Sequence, residues 1–365
     1  MLLAVLRDLF PFLAALYVLD AIAWIRAGHL LFVSRMGRWC SVRTPGIRLA
    51  GLLPVDVVFA VARHAPLLAP EGVYLPDPQA HGAAVYDPER WTLLPWDQIG
   101  RLEVEEDKLL FGAAGPLRLP SRAHAESLAT RVREIRDAPA TKREARITRS
   151  LAAAFDLDAA SARHAIFHAA AVPVQILGFA LFAVLFGAIP GVLYLGAPPA
   201  LLNVQVYLAL GLFVLTAVSL VWAGSHLRGQ GALRRMPALS SVLFTPTAAP
   251  RAAAHLARDL FHDFDAAAVA AVLLPKRKLL EWLRGEIHAT AWAATRGEPG
   301  WRAAWAARRD LLRRTLKRLD ATEAEALAPP RRDSAAVAWC PFCDTEYEEN
   351  LPTCRDCALP LIELG

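Results

Sequence analysis

Arg163 to Arg228 reads RHAIFHAAAVPVQILGFALFAVLFGAIPGVLYLGAPPALLNVQVYLALGLFVLTAVSLVWAGSHLR. No Asp, Glu, Lys or Arg lies between those two arginines, and a water-soluble fold has no reason to keep so long a neutral run. The run predicts a transmembrane hairpin with spans over Val172–Leu195 and Val204–Ala223. Each is near the roughly 20 apolar residues that carry a helix across a bilayer. Gly196, Ala197, Pro198 and Pro199 supply the turn, and Pro173 and Pro190 are expected near the span ends, where a missing amide donor costs least.

The whole chain agrees with this reading. It has 365 residues, 55% hydrophobic and only 21% charged, and a mean hydropathy of +0.31. The 26 prolines and 21 glycines are ordinary frequencies, which excludes a collagen-like or wholly disordered chain. A third apolar segment, Leu9–Ile25, is interrupted by Pro11 and Asp20 and reads as an N-terminal span that runs on toward Val33. A cleaved signal peptide is the competing reading, because Ala21, Ile22 and Ala23 imitate a small-x-small site, but Trp24 and Ile25 prolong the apolar run. Asp20 is a candidate ion or proton relay, with a polar residue facing a wet edge as the plainer account.

Arginine placement sets the expected orientation. Arg26, Arg35, Arg38 and Arg43 follow the first span; Lys142, Arg143, Arg146, Arg149 and Arg163 precede the second; Arg228, Arg234 and Arg235 follow the third. All three clusters belong on the cytoplasmic side, so a multi-pass inner-membrane protein with cytoplasmic soluble parts is expected. The Arg35, Arg38, Arg43 and Arg48 series reads as part of that signature, with attraction to anionic lipid as a secondary effect.

Between the spans, short apolar runs are punctuated by Pro and Gly: Ile47–Leu53, Val55–Val61, Gly72–Leu75, Trp91–Leu94, Ile99–Val104, Lys108–Phe111 and Leu117–Leu119. These predict strands. Ser121 is expected to cap a helix to Arg136 with Ala125, Leu128, Val132 and Ile135 on its apolar face. The strand entry at Leu94, Pro95, Trp96, Asp97, Gln98 and Ile99, with the closing helix, resembles the bacterial PH-like domains attached to membrane proteins over Pro70–Asp137. That resemblance implies a partly open barrel that binds protein segments or lipid headgroups and catalyses nothing. A small α+β domain without a ligand is the alternative.

Beyond the hairpin, Pro250–Leu274, Lys278–Thr295 and a segment from Trp301 are expected to be helical. Trp301, Trp305, Leu312, Leu316 and Leu319 form an apolar stripe opposite Arg302, Arg308, Arg309, Arg313, Arg314, Lys317 and Arg318. Ala321–Trp339 reads as a linker. Then come Cys340, Pro341, Phe342, Cys343 and, ten residues on, Cys354, Arg355, Asp356, Cys357. Two such knuckles can place four thiolates at the corners of a tetrahedron, so a structural Zn2+ site is expected, closed to catalysis. A reducing cytoplasm favours metal over disulfide. These residues, with Tyr347 and Leu359, Pro360, Leu361, resemble the short zinc-ribbon modules at the ends of many bacterial proteins, over Trp339–Leu361. Asp344 and Ala358 stand where such knuckles commonly carry glycine. No resemblance extends over the full chain.

The ribbon from Cys340 onward carries Asp344, Glu346, Glu348, Glu349, Asp356 and Glu363 against Arg355 alone, which disfavours a nucleic-acid partner. Reversible docking of this acidic ribbon on the basic helix of the same chain is the expectation instead. Three weaker constellations remain. His164, His168 and His226 at the hairpin's cytoplasmic ends are a candidate metal or haem site, or simply interfacial histidines. His255, Asp259 and His262 share a helix face and are a candidate half of a metal hydrolase site. Arg308, Arg309, Arg313 and Arg314 are a candidate interaction surface. Cys40 reads as a buried small apolar residue. The modules follow as 1–33 (N-terminal span), 34–137 (α+β, PH-like), 138–170 (helical connector), 171–227 (hairpin), 228–320 (helical region), 321–338 (linker) and 339–365 (ribbon). The fold class is thus a multi-module membrane protein. The expected function is a non-enzymatic membrane adaptor or regulatory scaffold for a cytoplasmic protein partner, with a membrane enzyme or a membrane-tethered nucleic-acid binder as alternatives.

Overall fold

Along the chain the structure, a computed structural model, runs α1 (Leu2–Ala23), β1 (His29–Val33), β2 (Cys40–Ser41), β3 (Val57–Val61), β4 (Leu67–Ala69), β5 (Gly72–Pro76), β6 (Trp91–Pro95), β7 (Glu103–Glu105), β8 (Lys108–Leu110) and β9 (Pro116–Arg118). Helices α2 (Arg122–Arg136), α3 (Ala140–Ala154), α4 (Leu157–Ala183), α5 (Ile189–Leu195), α6 (Pro199–Arg228), α7 (Ala266–Leu273), α8 (Lys276–Ala293), α9 (Pro299–Arg318) and α10 (Glu323–Ala326) follow, then β10 (Ala338–Cys340), β11 (Thr345–Tyr347) and β12 (Ile362–Glu363). The structure describes residues 2–23, 29–33, 40–41, 57–61, 65–77, 80, 82–195, 198–228, 259–329 and 333–364. The chain divides into two compact units, Met1–Val61 with Ser161–Phe261, and Ala62–Ala160 with His262–Gly365.

In the first unit the uncharged stretch is helical on either side of the expected turn, whose residues 196–197 lie outside the described residues. The helical stretches Ala140–Leu195, which begins in the second unit, and Ala200–Ser225 each contain an 18-residue segment apolar enough to cross a membrane, with mean hydropathies of 2.4 and 2.2. Pro173 lies inside α4 rather than near an end, because the helix starts well before the apolar run. Between α4 and α5 the backbone widens into a π turn, Val184–Ala188. Pro190 supplies the cause: it has no amide to offer the Phe186 carbonyl, and its ring would press on that oxygen in a regular helix. Helix α1 packs here. Tyr17 is buried, its ring 5.6 Å from Phe182 and 5.0 Å from Phe186. The Tyr194 hydroxyl donates to the Arg7 carbonyl at 3.0 Å. Strands β2, β1 and β3 form an antiparallel sheet in that order, with Phe32 opposite Ser41 and Val58. The expected strand Ile47–Leu53, the side chains of Asp20 and Cys40, and Arg26, Arg35, Arg38, Arg43, Arg48, Arg234 and Arg235 lie outside the described residues.

The second unit is built on two antiparallel meanders, β4-β5-β6 and β7-β8-β9. Gly72 opens β5 opposite Pro95, where an added Cβ would strike the Leu94 carbonyl. Trp96 leaves β6 and donates its indole N–H to the Ala69 carbonyl at 2.9 Å. Both meanders turn apolar side chains toward α2, whose expected face of Ala125, Leu128, Val132 and Ile135 is buried against Val73, Leu109, Phe111 and Leu117. Each such aliphatic side chain contributes about 1.5–3 kcal/mol on burial. Ser121 stands at the helix N-cap but does not cap with its side chain; its hydroxyl meets His124 Nδ1 at 2.9 Å.

Of the helix expected over Pro250–Leu274, residues 250–258 lie outside the described residues; a 3-10 turn, Asp259–Phe261, precedes α7, which begins at Ala266, where the Asp265 carboxylate accepts from the Ala267 amide at 2.9 Å. Helices α8 and α9 pack together, with Trp301, Trp305, Leu312 and Leu316 buried along the expected stripe. The segment read as a linker contains α10, fixed by a capping box of Thr322 and Glu325. The ribbon strands pair in the order β11-β10-β12.

Candidate metal centre

Each knuckle is a tight turn closed by its own backbone. The Asp344 amide donates to the Cys340 carbonyl and the Ala358 amide to the Cys354 carbonyl, both at 2.9 Å. This closure turns the residue after each second cysteine into the left-handed region, and Asp344 (φ 65°) and Ala358 (φ 57°) adopt it without glycine. Asp344 is compensated, since its carboxylate accepts from the Trp339 indole at 3.2 Å. Ala358 has no such bond from its methyl side chain and carries the steric cost that L-residues meet there. The hairpin from β10 to β11 and the bridge between Thr353 and Pro360 bring the knuckles face to face.

The four sulfurs of Cys340, Cys343, Cys354 and Cys357 all lie within 4.8 Å of one another, with Cys343 and Cys354 Sγ 3.5 Å apart. Tetrahedral zinc–sulfur bonds of about 2.3 Å require sulfurs roughly 3.8 Å apart, so these distances suit a tetrathiolate ion. Cys340 and Cys354 are buried, whereas Cys343 and Cys357 are half-buried. Hydrogen-bonding groups surround the sulfurs: Cys343 Sγ donates to the Thr345 hydroxyl at 3.1 Å, a hydroxyl that can turn to donate once the thiol is ionised, the Tyr347 hydroxyl is 3.2 Å from Cys354 Sγ, and the Cys357 amide donates to Cys354 Sγ at 3.4 Å. Such donors favour thiolates. Hydrogen bonds from Cys340 and Cys357 hold Cys343 far below the ordinary thiol range. The same sharing pushes Cys340 up to about 12, through its bond to Cys343, and Cys357 higher still, through Cys340 and Cys343. A metal ion bound by these sulfurs would displace the protons that Cys340, Cys343 and Cys357 share.

The centre does not hang on a tether. Cys340, Phe342, Cys354 and Leu359 belong to one apolar cluster with Ala69 and Tyr74 of the β layer, Tyr86 of the 3-10 turn that follows β5, and Ala289, Ala293, Trp301 and Trp305 of the helical hairpin. Docking is on α8, not on the basic face of α9. The Arg284 guanidinium lies 5.1 Å from the Trp339 ring centroid and 3.8 Å from Asp344, while His288 Nε2 donates to the Pro360 carbonyl at 2.7 Å. Burial lowers the His288 pKa, opposed by that carbonyl, so the ring is neutral and its donor is fixed.

The arginines expected to receive the ribbon are engaged elsewhere. Arg308, its side chain 15% exposed, pairs with Asp265. Burial works against its charge, but Asp265 and Glu286 hold its pKa above the ordinary arginine value. Arg309 and Arg313 grip the two oxygens of Glu323 at 2.7 and 2.6 Å. Arg314 is exposed. His164 and His168 have ring centroids 6.1 Å apart on α4, and the side chain of His226 lies outside the described residues. His255 and the Asp259 side chain lie outside them too; His262 instead faces His124 of α2, centroids 6.3 Å apart. Sequence reasoning missed His124 because only the tertiary fold brings it to His262, and missed Arg284 and His288 because α8 carries no motif.

The chain matches no known protein family, no curated protein and no solved structure.

Proposed function

We propose that this chain is a non-enzymatic, multi-pass membrane adaptor whose cytoplasmic part presents a PH-like layer braced by a structural zinc ribbon. The convergence of Cys340, Cys343, Cys354 and Cys357 carries the reading. Four thiolates fill a tetrahedral zinc shell, so the ion supplies structure and leaves no position for substrate. The donor set is wholly sulfur, which zinc accepts, and Thr345, Tyr347 and the Cys357 amide would orient it.

The two apolar helical runs support membrane insertion, and so does the outward face of α6, where Val204, Tyr207, Val214 and Val218 are exposed. Helix α1 is the third span, seated on the π turn. The arginine distribution favours the inner membrane with both soluble segments cytoplasmic. Two meanders closed by one helix support the PH-like assignment, a scaffold that binds protein segments or headgroups. The exposed acids Glu348 and Glu349 offer a basic cytoplasmic protein a docking edge.

The test is co-purification from detergent-solubilised membranes with wild type and a Glu348→Lys, Glu349→Lys variant, analysed by mass spectrometry and metal content. Both side chains are exposed, and the one pair lost, Glu349 with Arg355, is itself exposed, so the variant keeps its ion and fold. Loss of a specific partner with zinc retained supports recruitment through the ribbon. Retention of every partner, or none in either preparation, removes the adaptor reading.

A further inference from the structure

We infer that the exposed face of α3, formed by Lys142, Arg146 and Arg149, binds the phosphate headgroups of anionic lipid in the leaflet that α4 enters. Spacings of four and three put these three side chains on one stripe, and all three are exposed. None has an ion-pair partner among the described residues. The one acid of the helix, Glu144, projects from the opposite side, roughly 160–220° round the axis at 100° per residue. Arg146 also donates to the Glu134 carbonyl at 2.6 Å, which fixes the stripe without neutralising it.

Position supplies the occupant. Helix α3 ends at Ala154 and α4 begins at Leu157; the last charge before the neutral run is Arg163. Bases that precede a span by so short a stretch of chain belong to its cytoplasmic end, on the side of the anionic leaflet. Helix α9 adds to the field. It lies beside α3, exposes Arg314 and Lys317, and clasps the first turn of α4 through Arg318, whose two nitrogens each reach an oxygen of Asp158 at 3.1 Å. Each base near an anionic surface strengthens attachment about fivefold. Nucleic acid would offer the same phosphates, but the stripe leads into an apolar helix and stands on the same unit as the acidic ribbon.

The inference rests on the membrane reading above, and the experiment separates the two. The full chain is reconstituted into nanodiscs of phosphatidylcholine alone or with about 30% phosphatidylglycerol. Amide exchange is followed over Lys142–Ala153. The expected result is exchange at least about fivefold slower in the anionic discs, with the difference lost at about 0.5 M salt and in a Lys142→Gln, Arg149→Gln variant. Equal exchange in both lipids overturns the lipid face, as does slowing by a DNA duplex in place of phosphatidylglycerol. Failure to enter either disc overturns the membrane reading itself.

Discussion

Phe342, one residue before the second cysteine of its knuckle, meets the ring of Tyr86 edge-on, with centroids 5.8 Å apart. Tyr86 ends the 3-10 turn Gly82–Tyr86 between β5 and β6, lies tilted 5.1 Å from the Trp305 ring, and donates its hydroxyl to Glu286 at 2.8 Å. A metal knuckle, the turn between β5 and β6 and a helical hairpin therefore share one aromatic contact, and strain at any of them is felt by the others.

Phe342 is 8% exposed, so Phe342→Ala should cost about 3–5 kcal/mol of the second unit's stability while leaving metal stoichiometry unchanged. Denaturant unfolding followed by tryptophan emission reads the loss. An effect under about 0.5 kcal/mol would mean the ribbon is a surface appendage.

Ala358→Gly should stabilise the ribbon by about 1 kcal/mol, because φ 57° is strained for alanine and free for glycine. Asp344→Gly should not, since it removes the acceptor of the Trp339 indole. Melting of the two variants in parallel checks the contrast; equal shifts of the same sign would contradict it.

Arg308→Ala leaves Asp265 buried without its partner and should destabilise the unit by about 3–5 kcal/mol, more than Arg314→Ala on the exposed side. Comparable effects of the two substitutions in thermal unfolding would show that the Arg308 pair contributes nothing.

The pH response should be carried in part by Glu323. Burial raises its pKa, but the guanidinium groups of Arg309 and Arg313 outweigh that and hold it below the ordinary carboxylate value. A folded value below the unfolded one contributes stability that is present above the ordinary carboxylate pKa and lost as pH falls through the folded one. Below about pH 4.5, the stability of wild type should therefore converge on that of Glu323→Gln; curves that stay parallel would exclude this role.

Local chemistry was legible in the sequence wherever it was periodic or short-range. The stripe Ala125, Leu128, Val132, Ile135 is buried as its spacing requires, and the pair of knuckles converges as two short turns must. The strand Leu67–Ala69 went unread because three residues ahead of a turn carry no alternation of their own; it forms only by pairing with Gly72–Tyr74. The segment after Asp320 looked like a linker because its only helix has four residues, and what fixes it is the distant pair of Arg309 and Arg313 on Glu323. Docking of the ribbon on Arg284 and His288 rather than on the basic face of the arginine-rich helix was illegible for the same reason: net charge along a helix does not say which side chains already have partners.

The most direct test of the account is metal analysis with X-ray absorption on the purified full chain, before and after chelation, with tryptophan emission recorded throughout. One zinc per chain held by four sulfurs at about 2.3 Å, with a shifted emission of the Trp301 and Trp305 cluster once it is stripped, is the predicted result. A chain that purifies without zinc and shows the same emission whether or not zinc is supplied would contradict it.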